Sequence, residues 1–317
     1  MSPFHPDLTH ARFLPSLPIG TRTARMARRA SERMRPPRAP DDILIEEHTL
    51  PGPEGAPPVS VRLYRPRSLE GPAPALLWSH GGGYLFGSPV QDENRSIGFA
   101  LDLGITVVAP RYRKAPQNTQ PAPVEDVYAA LSWMVENAER SGVDPARIAI
   151  GGASAGGGIT AALALLCRDR GGPTRPVFQL LVYPMLDDRT TLRSDLDPLP
   201  TRMWSVTDNR FAWRAYLNRF PGGAGVSPYA APARSEDLSG LPPAWIGVGT
   251  LDLFHDEDVA YAERLREAGV PCSLTVVSGA FHGFDALFSR TEVVREFRRT
   301  QTEALRSAFE PGAPTSP

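Results

Sequence analysis

Residues Arg147–Cys167 read RIAIGGASAGGGITAALALLC, and this stretch decides the fold. Arg147–Gly151 is a short apolar run of strand character. Gly152-Ala153-Ser154-Ala155-Gly156 follows, and Gly157–Cys167 continues as a helical run. A serine flanked by small residues, between a strand and a helix, sits on a sharp turn with its hydroxyl exposed. The helix N-terminus behind it favours developing negative charge. Taken alone, the same letters also describe a glycine-rich helix start with a capping serine. The rest of the chain has to decide between these readings.

Upstream, His80-Gly81-Gly82-Gly83 follows the apolar run Ala75–Ser79. Three glycines after a buried strand let backbone N–H groups turn toward a common point. A tetrahedral oxyanion needs such donors, each worth ~3–4 kcal/mol of barrier. Gly82, Gly83 and Ala155 are therefore the expected oxyanion-hole residues, and His80 and Gly81 are expected to order the loop. His80 precedes the nucleophile, whereas this strand–turn–helix arrangement orders its parts as nucleophile, acid, base. The base is thus expected downstream, at His282 in Ala280-Phe281-His282-Gly283-Phe284. The rival His255 sits among Asp256, Glu257 and Asp258 at a helix start. Asp252, after the apolar run Ala244–Gly249, is the expected acid, with Asp256 one helical turn on as the alternative. Asp252 would fix the imidazole tautomer, and His282 would take and return the Ser154 proton.

Working outward, Ile43–Leu50 and Val59–Tyr64 flank a Pro/Gly-rich turn at 51–58 and read as an antiparallel pair. Ala75–His80, Ile105–Ala109, Arg147–Gly151, Val177–Tyr183, Ala244–Gly249 and Ser273–Ser278 are almost continuously apolar. Such runs fit strands buried on both faces of a parallel sheet. Helical spacing over Pro123–Glu139 and Asp256–Ala268 completes a strand–helix alternation, so the fold class is α/β. The segment from Leu186 to about Val226, rich in Asp, Arg, Pro and aromatics, breaks that rhythm. With residues 1–42 it is the expected cap over a catalytic core of 43–185 and 227–317, all in one domain of 1–317.

Composition narrows the partners. Lys+Arg is 34 and Asp+Glu 35 over 317 residues, a formal charge of −1, so nothing draws the chain generally to nucleic acid or anionic membrane. Pro 34 and Gly 28 together stand well above the roughly 12 % of an average chain, without a repeat. Lys114 is the only lysine; genome base composition explains this more simply than guanidinium recognition. Cys167 and Cys272 have no metal-ligand or CxxC spacing and read as buried small hydrophobes. Residues 22–38 carry Arg22, Arg25, Arg28, Arg29, Arg33, Arg35 and Arg38 against Glu32. The apolar face there is only Ala24, Ala27, Ala30 and Met34, which suits a helix lying over another part of the chain better than lipid insertion. No segment approaches the ~18 apolar residues of a membrane span. The N-terminal residues lack a secretory apolar core, so a cytoplasmic location is expected.

The chain resembles the hormone-sensitive-lipase-like family of α/β-hydrolases over nearly its whole length. Beyond HGGG and GASAGG, Tyr112-Arg113-Lys114-Ala115-Pro116 is similar to the family's YRLAP segment. Pro121-Ala122, Asp126, Trp133 and Tyr183-Pro184 stand at the family's spacing. Ser227–Pro232 resembles SPxxAP, and Asp252–Glu257 resembles DPLxDE, whose first Asp is catalytic. The resemblance implies an eight-stranded, mostly parallel sheet with an α-helical cap, and carboxylester hydrolysis of short or medium acyl chains without cofactor or metal. The chain departs from the pattern at Ala153, commonly Asp or Thr, and at Gln117, usually Glu; neither touches the nucleophile or base.

Tyr84, Leu85 and Phe86 after the oxyanion loop, Tyr183 after its strand, and Trp204, Phe211 and Trp213 in the insertion are expected to wall an apolar substrate pocket. The alternative for Phe211 and Tyr216, at helical spacing, is to glue the cap to the core. The expected partner is a small neutral ester, with no nucleic acid and no stable membrane insertion; a homodimer is left open. An amidase, deacetylase or lactone hydrolase would use the same triad. A small-molecule receptor on a dead hydrolase scaffold would typically have lost the nucleophile or base, and both are present here.

Overall fold

The computed structural model describes residues 3–14, 18–53, 55–196 and 200–310. Glu54 of the expected turn, and residues 1–2, 15–17, 197–199 and 311–317 of the expected cap and core, lie outside them.

Eight strands form one sheet: β1 Ile43–Leu50, β2 Val59–Pro66, β3 Ala73–Ser79, β4 Thr106–Pro110, β5 Val143–Ala153, β6 Phe178–Val182, β7 Ala244–Gly249 and β8 Cys272–Val277. The spatial order is β1-β2-β4-β3-β5-β6-β7-β8. β1 and β2 pair antiparallel, as do β2 and β4; the other pairs are parallel. The helices are α1 Thr21–Glu32, α2 Glu93–Leu103, α3 Ala122–Glu136, α4 Ala138–Ser141, α5 Ala155–Arg170, α6 Val206–Leu217, α7 His255–Glu267, α8 Phe284–Leu287 and α9 Glu292–Phe309.

The apolar runs put their side chains alternately on the two faces, as a two-residue period requires. Ile148 and Ile150 of β5, with Ala75 and Leu77 of β3, join a core that holds α3, α5 and α7 residues. Ala149 and Ala153, with Leu76 and Trp78, join the opposite core, which holds residues of α2 and α9. β8 differs from the expectation of a doubly buried strand. It is one edge of the sheet, and all six of its residues are half-buried or exposed. The expected helix at 123–139 divides at Asn137 into α3 and the short α4.

β5 runs straight into α5, whose first thirteen residues are all buried. Gly156 is needed there because a Cβ would collide with the backbone carbonyl groups of Ser79 and His80. Ser154 and the HGGG loop are thereby held side by side at the carboxyl ends of β5 and β3. Arg113 locks the segment after β4: its Nε and Nη2 donate to the buried Asp126 carboxylate at 2.7–2.9 Å, and its N–H donates to the same group.

The two segments outside the sheet touch one another and the core. Ile19 N–H donates to Asp208 Oδ1 at 2.6 Å, and Arg202 Nε donates to the Ala11 carbonyl at 3.0 Å. Ser31 at the end of α1 accepts from Gly87 N–H and its carbonyl accepts from Ser88 Oγ. Phe4, Leu8 and Ala11 are buried with Phe281 and α9 residues, so this part of the N-terminus belongs to the core packing beside His282. The start of the insertion is tied down by Glu257 of α7, which accepts from Leu186 and Asp187 N–H. The buried Asp188 pairs with Arg234 and accepts from Gly222 N–H.

Candidate active site

Ser154 stands between β5 and α5 with φ 56 and ψ −123, the strained turn that its small neighbours permit. Its Oγ is 2.9 Å from His282 Nε2. His282 Nδ1 is 2.8 Å from Asp252 Oδ2, and Asp252 Oδ1 accepts from Phe254 N–H at 3.0 Å. A carboxylate only accepts, so Nδ1 carries the proton and the Nε2 lone pair faces Ser154. All three are buried, at 7 %, 7 % and 1 % exposure for Ser154, His282 and Asp252. Tyr183 and Phe254 pack edge-on to the imidazole at 4.8 and 5.1 Å. The rivals are elsewhere: His255 bonds Asp256, and Asp256, half exposed, pairs with Arg193.

The HGGG loop turns back beside Ser154. Gly82 and Gly83 take positive φ of 125 and 56, which a side chain would resist. The Gly82 carbonyl accepts from Leu85 and Phe86 N–H. Ala155 opens α5, so its N–H has no intrahelical acceptor. His80 is buried beneath the loop, its Nδ1 2.8 Å from the Gly81 carbonyl and its ring stacked on Tyr112 at 4.2 Å. Burial, reinforced by the Lys114 charge, holds its pKa well below the ordinary value, so His80 is a neutral support. Lys114 is itself buried with Nζ on the Tyr112 carbonyl at 3.2 Å. Burial first, then nearby arginines, lower its pKa to about 8.

A cavity of about 270 Å³ opens on Ser154 and His282. Of the residues expected to wall it, Phe86, Tyr183 and Trp204 do so. Tyr84, Leu85, Phe211 and Trp213 do not. Tyr84 takes φ 61, which turns it under the loop; its hydroxyl donates to the Met185 carbonyl and its ring stacks on Tyr216 at 3.9 Å. Trp213 packs against the same two tyrosines. Leu85 and Phe211 line a separate hollow.

The cavity also contains residues that the sequence did not single out. Gln91, Asp92 and Arg95 give it a polar end, and Met203 and Ala286 add apolar wall. Trp78 Nε1 donates to Asp92 at 2.9 Å. Arg95 pairs with the buried Asp285, which also accepts from the Tyr183 hydroxyl at 2.7 Å. This network braces the ring that packs on His282. Its only trace in the sequence is the polar cluster after the oxyanion loop, which reads equally as the solvated face of a helix.

An eight-stranded, mostly parallel sheet with a serine at the β5–α5 turn defines a hydrolase of the α/β type. The comparisons agree. The model of the alpha/beta hydrolase fold family matches residues 76–286. Carboxylesterase NlhH of Mycobacterium tuberculosis is 38 % identical over 262 residues, covering 78 % of each chain. Ethyl acetate hydrolase of Pseudomonas putida is 33 % identical over 264 residues, 81 % of this chain and 78 % of that one. The solved structure of a bacterial heroin esterase matches with a TM-score of 0.88 and 34 % identity, covering 98 % of this chain and 99 % of that one. The chain belongs to the hormone-sensitive-lipase-like family of α/β-hydrolases, and it is a carboxylic ester hydrolase.

Proposed function

We propose that Ser154, His282 and Asp252 form the catalytic triad of an esterase acting on small neutral esters of short to medium acyl chain. The observation that carries this reading is the unbroken relay of 2.9 Å from Ser154 Oγ to His282 Nε2 and 2.8 Å from Nδ1 to Asp252. Ser154 Oγ attacks the carbonyl carbon as its proton passes to Nε2. The oxyanion is held by the N–H groups of Gly82, Gly83 and Ala155. Collapse breaks the bond to the alkoxide, which leaves with the proton from His282. Water then gives its proton to Nε2 and attacks the acyl-enzyme, and the acid departs as Ser154 recovers the proton.

The cavity volume of about 270 Å³ lies just below the ~300–1,000 Å³ typical of ligand sites and supports the chain-length part of the reading. Residues 186–226, with the part of 1–42 from Ile19 onward, are read as the cap, since Trp204 and Met203 of the insertion line the cavity and Ile19 bonds Asp208; Phe4, Leu8 and Ala11 pack with the core instead. The test is hydrolysis of p-nitrophenyl esters from acetate to octanoate by wild type and Ser154→Ala. Activity peaking at the shorter chains and abolished in Ser154→Ala supports the reading. Full activity in Ser154→Ala, or no turnover with any chain, overturns it.

A further inference from the structure

The hollow that takes Leu85 and Phe211 has a volume of about 470 Å³, and none of its lining residues is shared with the cavity on Ser154. It lies between α1, α6 and the Ala115–Gln117 turn. Leu85, Ala115, Pro116 and Phe211 give it an apolar floor, while Arg25, Arg28 and Arg214 stand at its edge. Arg28 is already engaged, with Glu32 at 3.0 Å and with Gln117. Among the described residues, neither Arg25 nor Arg214 forms an ion pair with a carboxylate, and both are exposed. Thr21, at the first turn of α1, also lines the hollow, and that turn holds no acidic residue. The positive end of a twelve-residue helix thus adds to two guanidinium groups that have no carboxylate partner, Arg214 being stacked on the Phe220 ring at 4.4 Å.

We propose that this hollow is a second binding site, for a medium-chain monocarboxylate. The tail lies on Leu85, Ala115, Pro116 and Phe211, and the carboxylate pairs with Arg25 and Arg214. Its volume falls within the ~300–1,000 Å³ of small-molecule sites. A flat, singly charged head matches the fork of guanidinium donors, whereas a neutral ligand would leave both arginines without a counter-charge. The site stands on the hollow alone. That its ligand is of the class released by ester hydrolysis rests on the esterase reading. The floor also adjoins the oxyanion loop, because Ala115 N–H donates to the Tyr84 carbonyl at 2.9 Å.

The test is calorimetric titration of the full chain with sodium octanoate, with and without covalent block of Ser154 by phenylmethanesulfonyl fluoride. One-site binding is expected to survive the block. It is expected to weaken at least tenfold in the double variant Arg25→Glu/Arg214→Glu and to be at least tenfold weaker for octanamide. Arg22→Glu/Arg29→Glu, with equal charge change on exposed positions of the same helix outside the hollow, is expected to bind as wild type. Both double variants should keep kcat/KM on p-nitrophenyl acetate within twofold. Loss of binding on blocking Ser154, unchanged binding in Arg25→Glu/Arg214→Glu, equal loss in the control pair, or equal affinity for octanamide overturns the proposal. Failure of the sulfonyl fluoride to react reports on the nucleophile instead, and the arginine variants then decide the site alone.

Discussion

The indole of Trp204 fills the space where Gly83 would carry a Cβ. The HGGG loop and the insertion therefore interlock, and the fit depends on a missing methyl group. Gly83→Ala should displace the indole or the loop, lowering kcat on p-nitrophenyl acetate by about 10²-fold, the cost of one misplaced oxyanion donor. Trp204→Gly in the same chain should restore part of that loss. Steady-state kinetics on the two variants, with a shift in tryptophan emission for the first, checks it; wild-type kcat in Gly83→Ala would contradict it.

Ser154→Ala and Asp252→Asn test the proposed nucleophile and the proposed orienting acid separately. The first should lose on the order of 10⁴-fold or more in kcat, and the second about 10⁴-fold, because an asparagine no longer holds the working tautomer. KM should change little in Asp252→Asn, since Asp252 does not line the cavity. Far-ultraviolet circular dichroism on both establishes that the fold is kept.

Trp204 is also a wall of the Ser154 cavity. Trp204→Ala should shift preference from acetate toward octanoate by about tenfold or more in the ratio of kcat/KM values, the scale of a few methylenes in an apolar pocket. An unchanged chain-length profile would show that the acyl chain takes another path.

Asp258 gives a pH prediction for stability. It is fully buried, neither of its carboxylate oxygens has a hydrogen-bond partner among the described residues, and Glu257 and Asp252 are its charged neighbours. Burial first, then those two carboxylates, raise its pKa well above the ordinary 3.8. The folded chain therefore binds this proton more tightly than the unfolded chain. The associated stability is fully present below 3.8 and is lost as pH rises through the raised folded value. Asp258→Asn should leave Tm unchanged near pH 4 and raise it by a few degrees at pH 8. Calorimetric scans at both values check this, and an equal shift at both would refute it.

The elbow, the HGGG loop and the order Ser154, Asp252, His282 were legible because each is local: a small-residue turn or a loop at a strand end. The inward face of α6 was legible only in part, through the alternative that Tyr216 glues the cap to the core. Ala212, Trp213 and Tyr216 turn inward and are buried. Their partner Tyr84 is fixed by a positive φ in a loop, which no periodicity reports. Phe211, one step out of phase, reaches the other hollow. The polar end of the cavity is hidden in the sequence for a related reason. Asp92 and Arg95 look solvated in sequence, and only the fold of α2 against Trp78 and Asp285 turns them inward. The exposure of β8 followed from strand order, which apolar content does not encode.

The solitary buried lysine has a consequence for the protein as a polyelectrolyte. All eight tyrosines have pKa values raised by burial or by neighbouring carboxylates. The two cysteines are pushed up by burial to about 12 and about 11, and arginine does not titrate in this range. Once Lys114 has lost its proton near pH 8, no tyrosine, cysteine or further lysine of the folded molecule takes over until the pH has passed the ordinary tyrosine value of 10. Its electrophoretic mobility should run flat across a span where a lysine-rich surface would steadily shed positive charge.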